Sequence, residues 1–144
     1  MRAGLAEPWL FWALLSALFA AGTAIFAKVG VEHVDSDLAT LIRTVIVAGV
    51  LAGLLAVTGR LQTPAIAPRS WLFLTLSALA TGASWLCYFR ALKLGDAARV
   101  APVDKLSVVL VALAGAALLG ERLSAVNWFG VALIAAGAAL VASR

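Results

Sequence analysis

The stretch Tyr88–Arg122 reads YFRALKLGDAARVAPVDKLSVVLVALAGAALLGER, and it carries most of the information about the fold. A polar connection with basic and acidic side chains leads into Pro102. Asp104 and Lys105 follow, and then an uncharged run from Leu106 to Gly120. This order predicts a membrane helix that is entered from one face, interrupted near its start by proline and charged just inside, with a tight turn at its far end.

The composition indicates that lipid is the solvent of this chain. Of its 144 residues 64% are hydrophobic and 12% are charged, and the mean hydropathy is +1.06. Soluble domains carry about 25% charged residues. We therefore expect a single all-α integral membrane domain over residues 1–144, an up-down bundle of five transmembrane helices in the inner or plasma membrane.

Five apolar segments are long enough to cross a bilayer, which requires about 20 mostly apolar residues. The predicted transmembrane helices cover residues of about 9–27, 38–57, 71–89, 97–119 and 125–142. In the fourth, the uncharged run alone is too short to span, so the charged residues before it must belong to the helix. Cleavage of the first segment as a signal peptide is disfavoured, because Trp9 and Trp12 suit an interfacial belt.

The connections between these segments are short, which makes consecutive helices antiparallel neighbours. Asp35 or Ser36 can cap the second helix, because their side-chain oxygens accept orphan backbone N–H groups. Before the fourth helix, Gly95 suits a C-cap and Asp96 the following N-cap.

Basic residues are spread almost evenly over the two membrane faces. An up-down path places the starts of helices one, three and five at one face, which we call face A, and the opposite ends at face B. Face A carries Arg2, Arg60, Arg69 and Arg122. Face B carries Lys28, Arg90, Lys93, Arg99 and Arg144. Such a weak bias is what a dual-topology protein needs, since Lys and Arg set orientation.

Two interpretations of this balance stay open. One is an antiparallel homodimer of ten helices, inserted both ways up and related by the inverted symmetry that alternating access uses. The other is a single orientation set by further factors. Gly49 and Gly53 form a GxxxG pattern in helix two that would let a neighbouring helix approach closely, although Ala-rich and Gly-rich helices also produce such rows by chance.

Two charges lie inside predicted helices. Arg43 is about 7 Å beyond the apolar boundary, and Asp104 is about 12 Å along its helix if Asp96 is the cap. Intramembrane charges usually face the bundle interior, so we expect these two to share a polar cavity, as an ion pair or as a substrate clamp. The alternatives are that Arg43 and Lys105 snorkel to headgroups, and that a helix starting at Pro102 leaves Asp104 at the surface.

Further candidates for a substrate pathway surround these charges. Pro102 inside a helix would free the carbonyl of Ala98 and kink the chain. Trp85 and Tyr88, three residues apart on one helical face, could stack on a flat or cationic substrate, or simply pack and anchor at the interface.

Catalytic and cofactor patterns do not stand out in this sequence. It has no Gly-rich phosphate loop, no catalytic triad, no metal-ligand constellation and no basic patch interleaved with aromatics. The single cysteine, Cys87, excludes an intrachain disulfide and suits a packing position. We expect no enzyme, no cofactor, no metal site and no nucleic-acid partner; movement of a solute is the expected activity.

The chain resembles the EamA domain of the drug/metabolite transporter superfamily, in particular its small five-helix bacterial and archaeal members. The resemblance covers nearly the whole chain and is carried by DSDLATLIRTVIV (Asp35–Val47), by Tyr88–Gly115, by LLGERLS (Leu118–Ser124) and by NWFGVALIAAGAALV (Asn127–Val141). Its most specific part is the turn Gly120, Glu121 and Arg122 before a last helix that contains glycine.

The resemblance implies a secondary transporter of a small organic metabolite or drug-like solute, working by alternating access. Larger relatives hold two inverted five-helix repeats, so one repeat implies a homodimer, with membrane lipid as the other partner. The resemblance also implies that helices one to four line the central cavity, and that the N-terminus lies on the cytoplasmic side of the membrane. Small multidrug-resistance relatives carry a glutamate in helix one, whereas Trp9–Ala27 contains no acid, so that proton-coupled route is not expected. The alternative is a non-transporting partner of a larger complex or of a lipid-carrier flippase.

Overall fold

The structure is a computed structural model that describes residues 8–61 and 65–143. Within these ranges the secondary structure consists of helices, without strands. In chain order they are α1 (Pro8–Gly30), α2 (Ser36–Val57), α3 (Pro68–Leu94), α4 (Ala97–Asp104), α5 (Ser107–Leu118) and α6 (Ala125–Ala142). With α4 and α5 counted as one span, five spans are long and apolar enough to cross a membrane. The predicted all-α membrane fold with five spans is confirmed.

The spans turn most of their apolar side chains outward. In the most apolar 18-residue window of each span, 6% of the residues are buried inside the chain. A helix satisfies its backbone hydrogen bonds internally, so its apolar side chains can face hydrocarbon without a protein neighbour. This low burial is therefore consistent with a chain that lipid covers.

The third helix extends well beyond the apolar segment that predicts it. It begins at Pro68, whose ring fits the first turn of a helix because no N–H partner is needed there. It continues to Leu94, so that Arg90 and Lys93 belong to the helix rather than to the connection after it. Basic side chains near a helix C-terminus interact favourably with its unpaired carbonyls and dipole.

The two predicted acidic caps behave differently. Asp35 is the N-cap of α2, and its Oδ1 accepts from the backbone N–H groups of Asp37 and Leu38, each at 3.0 Å. Asp96 occupies the N-cap position of α4, but its side chain makes no capping hydrogen bond. There the backbone carbonyl of Asp96 accepts from the N–H groups of Arg99 and Val100 at 2.9 Å. The predicted N-cap positions are thus confirmed for both residues, but only Asp35 also caps through its side chain.

The fourth span, predicted over residues 97–119 with an interruption near its start, consists of two helices, α4 and α5. Pro102 lies inside α4, not at its first position, and cannot donate the N–H that a helix would give to the Ala98 carbonyl. An eight-residue helix has few such bonds to lose. After Asp104 the backbone tightens, and the N–H groups of Leu106 and Val108 donate to carbonyls three residues earlier, both at 3.0 Å.

The helices divide into two compact units. The middle unit, Ala27–Leu94, contains α2 packed on α3. The terminal unit, the chain up to Phe26 and from Gly95 onward, contains α4 and α5 packed on α6. The buried apolar side chains of the middle unit are Val31, Phe89 and Leu92, and those of the terminal unit are Ala24 and Ala138.

Candidate functional site

The candidate site lies where α2 packs on α3 in the middle unit. The covered positions of α2 include Ser36, Thr40, Arg43 and Val47, which recur at helical spacing, together with Asp37 and Ala39 in the first turn. The covered positions of α3 include Gly82, Trp85, Phe89 and Leu92 at the same spacing, together with Tyr88 and Ala91 beside them. Residues at such spacing share one face of a helix. Arg43 therefore occupies a position on the packed face of a membrane span, among polar and aromatic side chains.

The guanidinium of Arg43 is stacked on aromatic rings of α3. Its central carbon is 4.2 Å from the ring centroid of Trp85 and 5.6 Å from that of Phe89. The two rings are one helical turn apart, so both lie on the side of α3 that contacts Arg43. A cation over an aromatic face is attracted by the negative potential of the ring, within about 6 Å of the centroid. Arg43 is half-buried in this position.

The carboxylates of α2 nearest to Arg43 along the chain have other partners. Asp37 binds Arg90 through two contacts, Nε to Oδ1 at 3.0 Å and Nη2 to Oδ2 at 2.6 Å. Asp35 accepts the two N–H groups at the start of α2. Within the described residues of the middle unit, no carboxylate lies within 4.0 Å of the Arg43 guanidinium. The charge of Arg43 is thus balanced in this unit by ring faces and not by an ion pair.

Two lysines join the end of α3 to the last turn of α1 and to the connection that follows it. Lys28 donates from Nζ to the carbonyl oxygen of Leu92, and Lys93 donates from Nζ to that of Val34, both at 2.7 Å. The sequence marks these lysines as topology signals and headgroup contacts. In the structure they also bind protein carbonyls. Together with the pair of Asp37 and Arg90, they fix the end of α3 against the start of α2.

The remaining pathway candidates are divided between the two units. Tyr88 is half-buried on α3, in the middle unit. Asp104 and Lys105 belong to the terminal unit, where Lys105 Nζ is 3.3 Å from Asp104 Oδ2. These neighbours can pair because α4 ends at Asp104, which releases Lys105 from regular helical geometry. A cavity shared by Arg43 and Asp104 remains a prediction.

The turn after α5 has a backbone geometry that requires glycine. Gly120 has φ of +70°, a conformation that only glycine adopts without strain. The next N–H, that of Glu121, donates to the carbonyl oxygen of Gly115 at 3.0 Å. The Glu121 side chain then folds over Gly115, where an added Cβ would lie 2.6 Å from Oε2. Gly115 therefore provides the space for this carboxylate.

The other end of the terminal unit is held by a basic side chain. Arg99 of α4 donates from Nη2 to the carbonyl oxygen of Ala142, the last residue of α6, at 3.2 Å. A cation at this position stabilises the unpaired carbonyls at a helix C-terminus. At the start of α6, Ser124 Oγ accepts from the N–H of Asn127 at 3.2 Å.

Sequence reasoning missed three of these contacts. Phe89, the second ring beneath Arg43, could have been found from its spacing of four residues after Trp85. The pair of Asp37 and Arg90 lacks such a signal because 53 residues separate them. The space that Gly115 leaves for Glu121 is also invisible in the helical pattern, since it depends on how the turn folds back.

The side chains at this site are suited to binding a solute more than to covalent catalysis. In the part of the chain that the structure describes, no three His, Cys, Asp or Glu side chains come together as a metal site would need. Arg43 supplies a positive charge with directional N–H donors, and Trp85 and Phe89 supply flat apolar surface. A charged group with aromatic walls is suited to hold a solute in a defined orientation.

Known proteins resemble this chain over nearly its whole length. A profile of the EamA-like transporter family matches residues 7–143. A relative from Sinorhizobium sp., named "Uncharacterized transporter in cobO 3'region", is 65% identical over 139 residues, which cover 96% of this chain and 99% of the relative. No solved structure matches the chain significantly. The resemblance predicted from the sequence is confirmed, and the chain belongs to the EamA-like transporter family.

Proposed function

We propose that this protein is a secondary transporter of a small organic solute, which works by alternating access as an antiparallel homodimer in the cell membrane. The family and the name of the Sinorhizobium relative support transport. The observation that carries the site is Arg43, a charged residue inside a span that is stacked on Trp85. This proposal includes no catalytic step and no cofactor.

The geometry of Arg43 favours a role in binding over simple snorkelling. A charge within a span is expensive, and such residues usually mark a substrate or ion pathway. A snorkelling arginine extends its side chain along the helix towards the headgroups. Arg43 instead places its guanidinium against the neighbouring helix, over Trp85 and Phe89. That orientation suits a clamp whose position is fixed before the solute arrives.

The interruption between α4 and α5 supports a second part of the pathway. Irregular backbone at membrane depth is tolerated only where protein buries it or where it lines a cavity. Asp104 and Lys105 lie at this interruption. Asp104 is eight residues after its N-cap Asp96, and Arg43 is eight residues after its N-cap Asp35. Each charge thus lies about 12 Å along its own span.

Two features support the homodimer, namely the set of five candidate spans and the near balance of basic charges between the two membrane faces. Transporters of this kind place the solute between two inverted repeats, and this chain supplies one set of five spans. The nearly equal basic counts on the two faces suit insertion in both orientations. On α2, a Cβ added at Gly49 or Gly53 would meet nothing within 4 Å, so this side of the helix is open to a partner.

Transport can be tested with a mixture of candidate solutes. Purified protein in liposomes is exposed to a defined mixture of isotope-labelled metabolites, and the entrapped solutes are identified by mass spectrometry. We expect at least one solute to accumulate above protein-free liposomes and to be lost in Arg43→Gln. Arg69→Gln is the matched control, because Arg69 is also an arginine near an aromatic ring, 5.8 Å from Phe73, but lies exposed at the start of α3.

One result would overturn the proposed transport, and another would overturn the proposed site. Absence of accumulation for every solute, together with stable copurification of a different protein, would indicate the non-transporting partner role. Accumulation that Arg43→Gln leaves unchanged would keep transport but remove Arg43 from the pathway.

A further inference from the structure

We infer that the transported solute is an organic anion whose carboxylate or phosphate binds the guanidinium of Arg43. This inference rests on the proposed function and names the class of its substrate. Three observations lead to it: the aromatic surface is already covered by a cation, the donor edge of that cation is unused, and the nearby carboxylates have other partners.

The first observation concerns Trp85. The sequence leaves open a flat or a cationic substrate stacked on this ring. In the structure the Arg43 guanidinium lies 4.2 Å from the ring centroid and so already uses its negative face. A cationic solute would have to displace Arg43 and remain beside its charge. Coulomb repulsion at this distance is strengthened by the low dielectric of the membrane interior, so a cation is disfavoured.

The second observation concerns the geometry of the guanidinium. Contact with a ring uses none of the N–H groups of arginine in a conventional hydrogen bond, so all five remain available to acceptors. Among the described residues of the middle unit, these N–H groups have no acceptor within hydrogen-bond distance. A guanidinium with fixed orientation and unused N–H groups is complementary to carboxylate or phosphate, which accept two parallel hydrogen bonds.

The third observation concerns charge balance. Asp37 is bound to Arg90 through both carboxylate oxygens, and Asp35 caps α2. An unneutralised charge in a span is costly, and a bound anion would remove that cost for both partners. The gain is reciprocal, since the anion leaves water only where a fixed cation replaces its hydration.

Binding can be measured directly on the purified protein. The protein is placed in nanodiscs of phosphatidylcholine, and thermal unfolding is followed with benzoate, succinate and phenyl phosphate. Benzamide and benzylamine serve as the uncharged and cationic counterparts. A ligand that binds the folded state raises the unfolding temperature, and the rise grows with the logarithm of ligand concentration above Kd. We expect stabilisation by at least one anion and none by benzamide or benzylamine.

Variants then assign the effect to the site. Arg43→Gln should weaken anion binding about 10- to 100-fold, the usual effect of losing a charged hydrogen bond. Arg43→Lys keeps the charge but loses the planar guanidinium, so its affinity for the anion should fall between that of the wild type and that of Arg43→Gln. Arg69→Gln removes the same charge elsewhere and should bind like the wild type. Trp85→Phe should bind better than Trp85→Leu, because phenylalanine keeps a ring at this position, whereas leucine leaves only the more distant Phe89 to orient Arg43.

Lipid phosphate is the other source of the same chemistry, and phosphatidylglycerol nanodiscs distinguish it. An Arg43-dependent stabilisation by phosphatidylglycerol with none by the three soluble anions would assign the site to a headgroup and overturn the inference. Stabilisation by benzylamine, no stabilisation by any anion, or equal anion affinity in Arg43→Gln and Arg69→Gln would also overturn it.

The metabolite uptake experiment separates this inference from the proposed function. Accumulation of only neutral or cationic solutes would leave transport in place and refute the anionic substrate. Anion binding that depends on Arg43, without accumulation of any solute, would refute transport and leave the binding site in place.

Discussion

The stacking of Arg43 on Trp85 predicts a measurable coupling between the two side chains. We consider Arg43→Met and Trp85→Leu, singly and together, in a double-mutant cycle. Methionine keeps an apolar stem of similar length, and leucine keeps an apolar side chain without a ring. The cycle subtracts the burial lost by each single change and leaves the energy that the pair shares.

The size of the coupling follows from distance and exposure. Arg43 is half-buried, and its guanidinium carbon lies 4.2 Å from the ring centroid of Trp85. Its exposure is between that of a solvent-exposed and that of a desolvated cation–π pair, so we expect a coupling energy of about 1.5 kcal/mol. The attraction between a charge and a ring quadrupole falls with about the third power of distance. Phe89, whose ring centroid is 5.6 Å from the guanidinium carbon, therefore attracts Arg43 with roughly 0.4 times the energy of Trp85. In Trp85→Leu this second ring stays, so part of the attraction for Arg43 survives.

The assay is reversible unfolding in mixed micelles by titration with a denaturing detergent. The matched control is a second cycle, with Arg69→Met and Phe73→Leu. That pair is 5.8 Å apart and Arg69 is exposed, so distance and solvent screening together reduce its expected coupling to about 0.3 kcal/mol. The prediction is thus a difference of about fivefold between an arginine–aromatic pair that joins two helices and one within a single helix.

Equal couplings in the two cycles, or a coupling near zero for Arg43 and Trp85, would refute this reasoning. Either result would mean that the guanidinium leaves the ring in the membrane environment. Snorkelling to headgroups would then be the better account of Arg43.

Three further changes test separate parts of the structure. Asp35→Ala should lower the free energy of unfolding by about 1 kcal/mol, because its carboxylate caps α2. Asp96→Ala should change the free energy of unfolding by less than about 0.5 kcal/mol, because its side chain makes no capping hydrogen bond. Equal losses of stability in the two variants would contradict the assigned caps. Gly115→Ala should stabilise α5 by up to about 1 kcal/mol, since the Glu121 carboxylate is the free end of a flexible side chain and can move away. A loss of stability in thermal unfolding would show that the carboxylate is held in place. Gly49→Leu should reduce self-crosslinking and leave the fold of the single chain intact, because nothing in the chain lies within 4 Å of that position; undiminished crosslinking would place the interface on another helix.

Hydropathy and turn chemistry account for most of the fold. The spans follow from apolar segments long enough to cross a bilayer, and the start of α2 follows from the capping chemistry of Asp35. Pro102 predicts an interruption of the fourth span, but it does not predict the position of that interruption at Lys105 and Leu106. The position depends on where the backbone changes to three-residue hydrogen bonds, which proline alone does not determine.

The candidate site is only partly accessible from the sequence. Arg43 and Trp85 stand out by residue type, yet no sequence pattern predicts their contact. The contact depends on how α2 and α3 are rotated about their axes, and in a membrane both the lipid-facing and the packed sides of a helix are apolar. Hydropathy therefore leaves that rotation undetermined. The lysine contacts lack a signal for another reason, since their acceptors are the backbone carbonyls of Leu92 and Val34, which leave no pattern in the sequence.

The most direct test of the account is the orientation of the chain in the membrane of living cells. Cys87 is the only cysteine, so Cys87→Ser combined with Ser143→Cys places a single thiol at the end of the last span. A membrane-impermeant maleimide is applied to intact cells, with permeabilised cells as the measure of full labelling. The antiparallel homodimer predicts labelling of about half of the chains, because both orientations are inserted in similar numbers. Labelling of all chains or of none would show one fixed orientation and contradict the inverted pair.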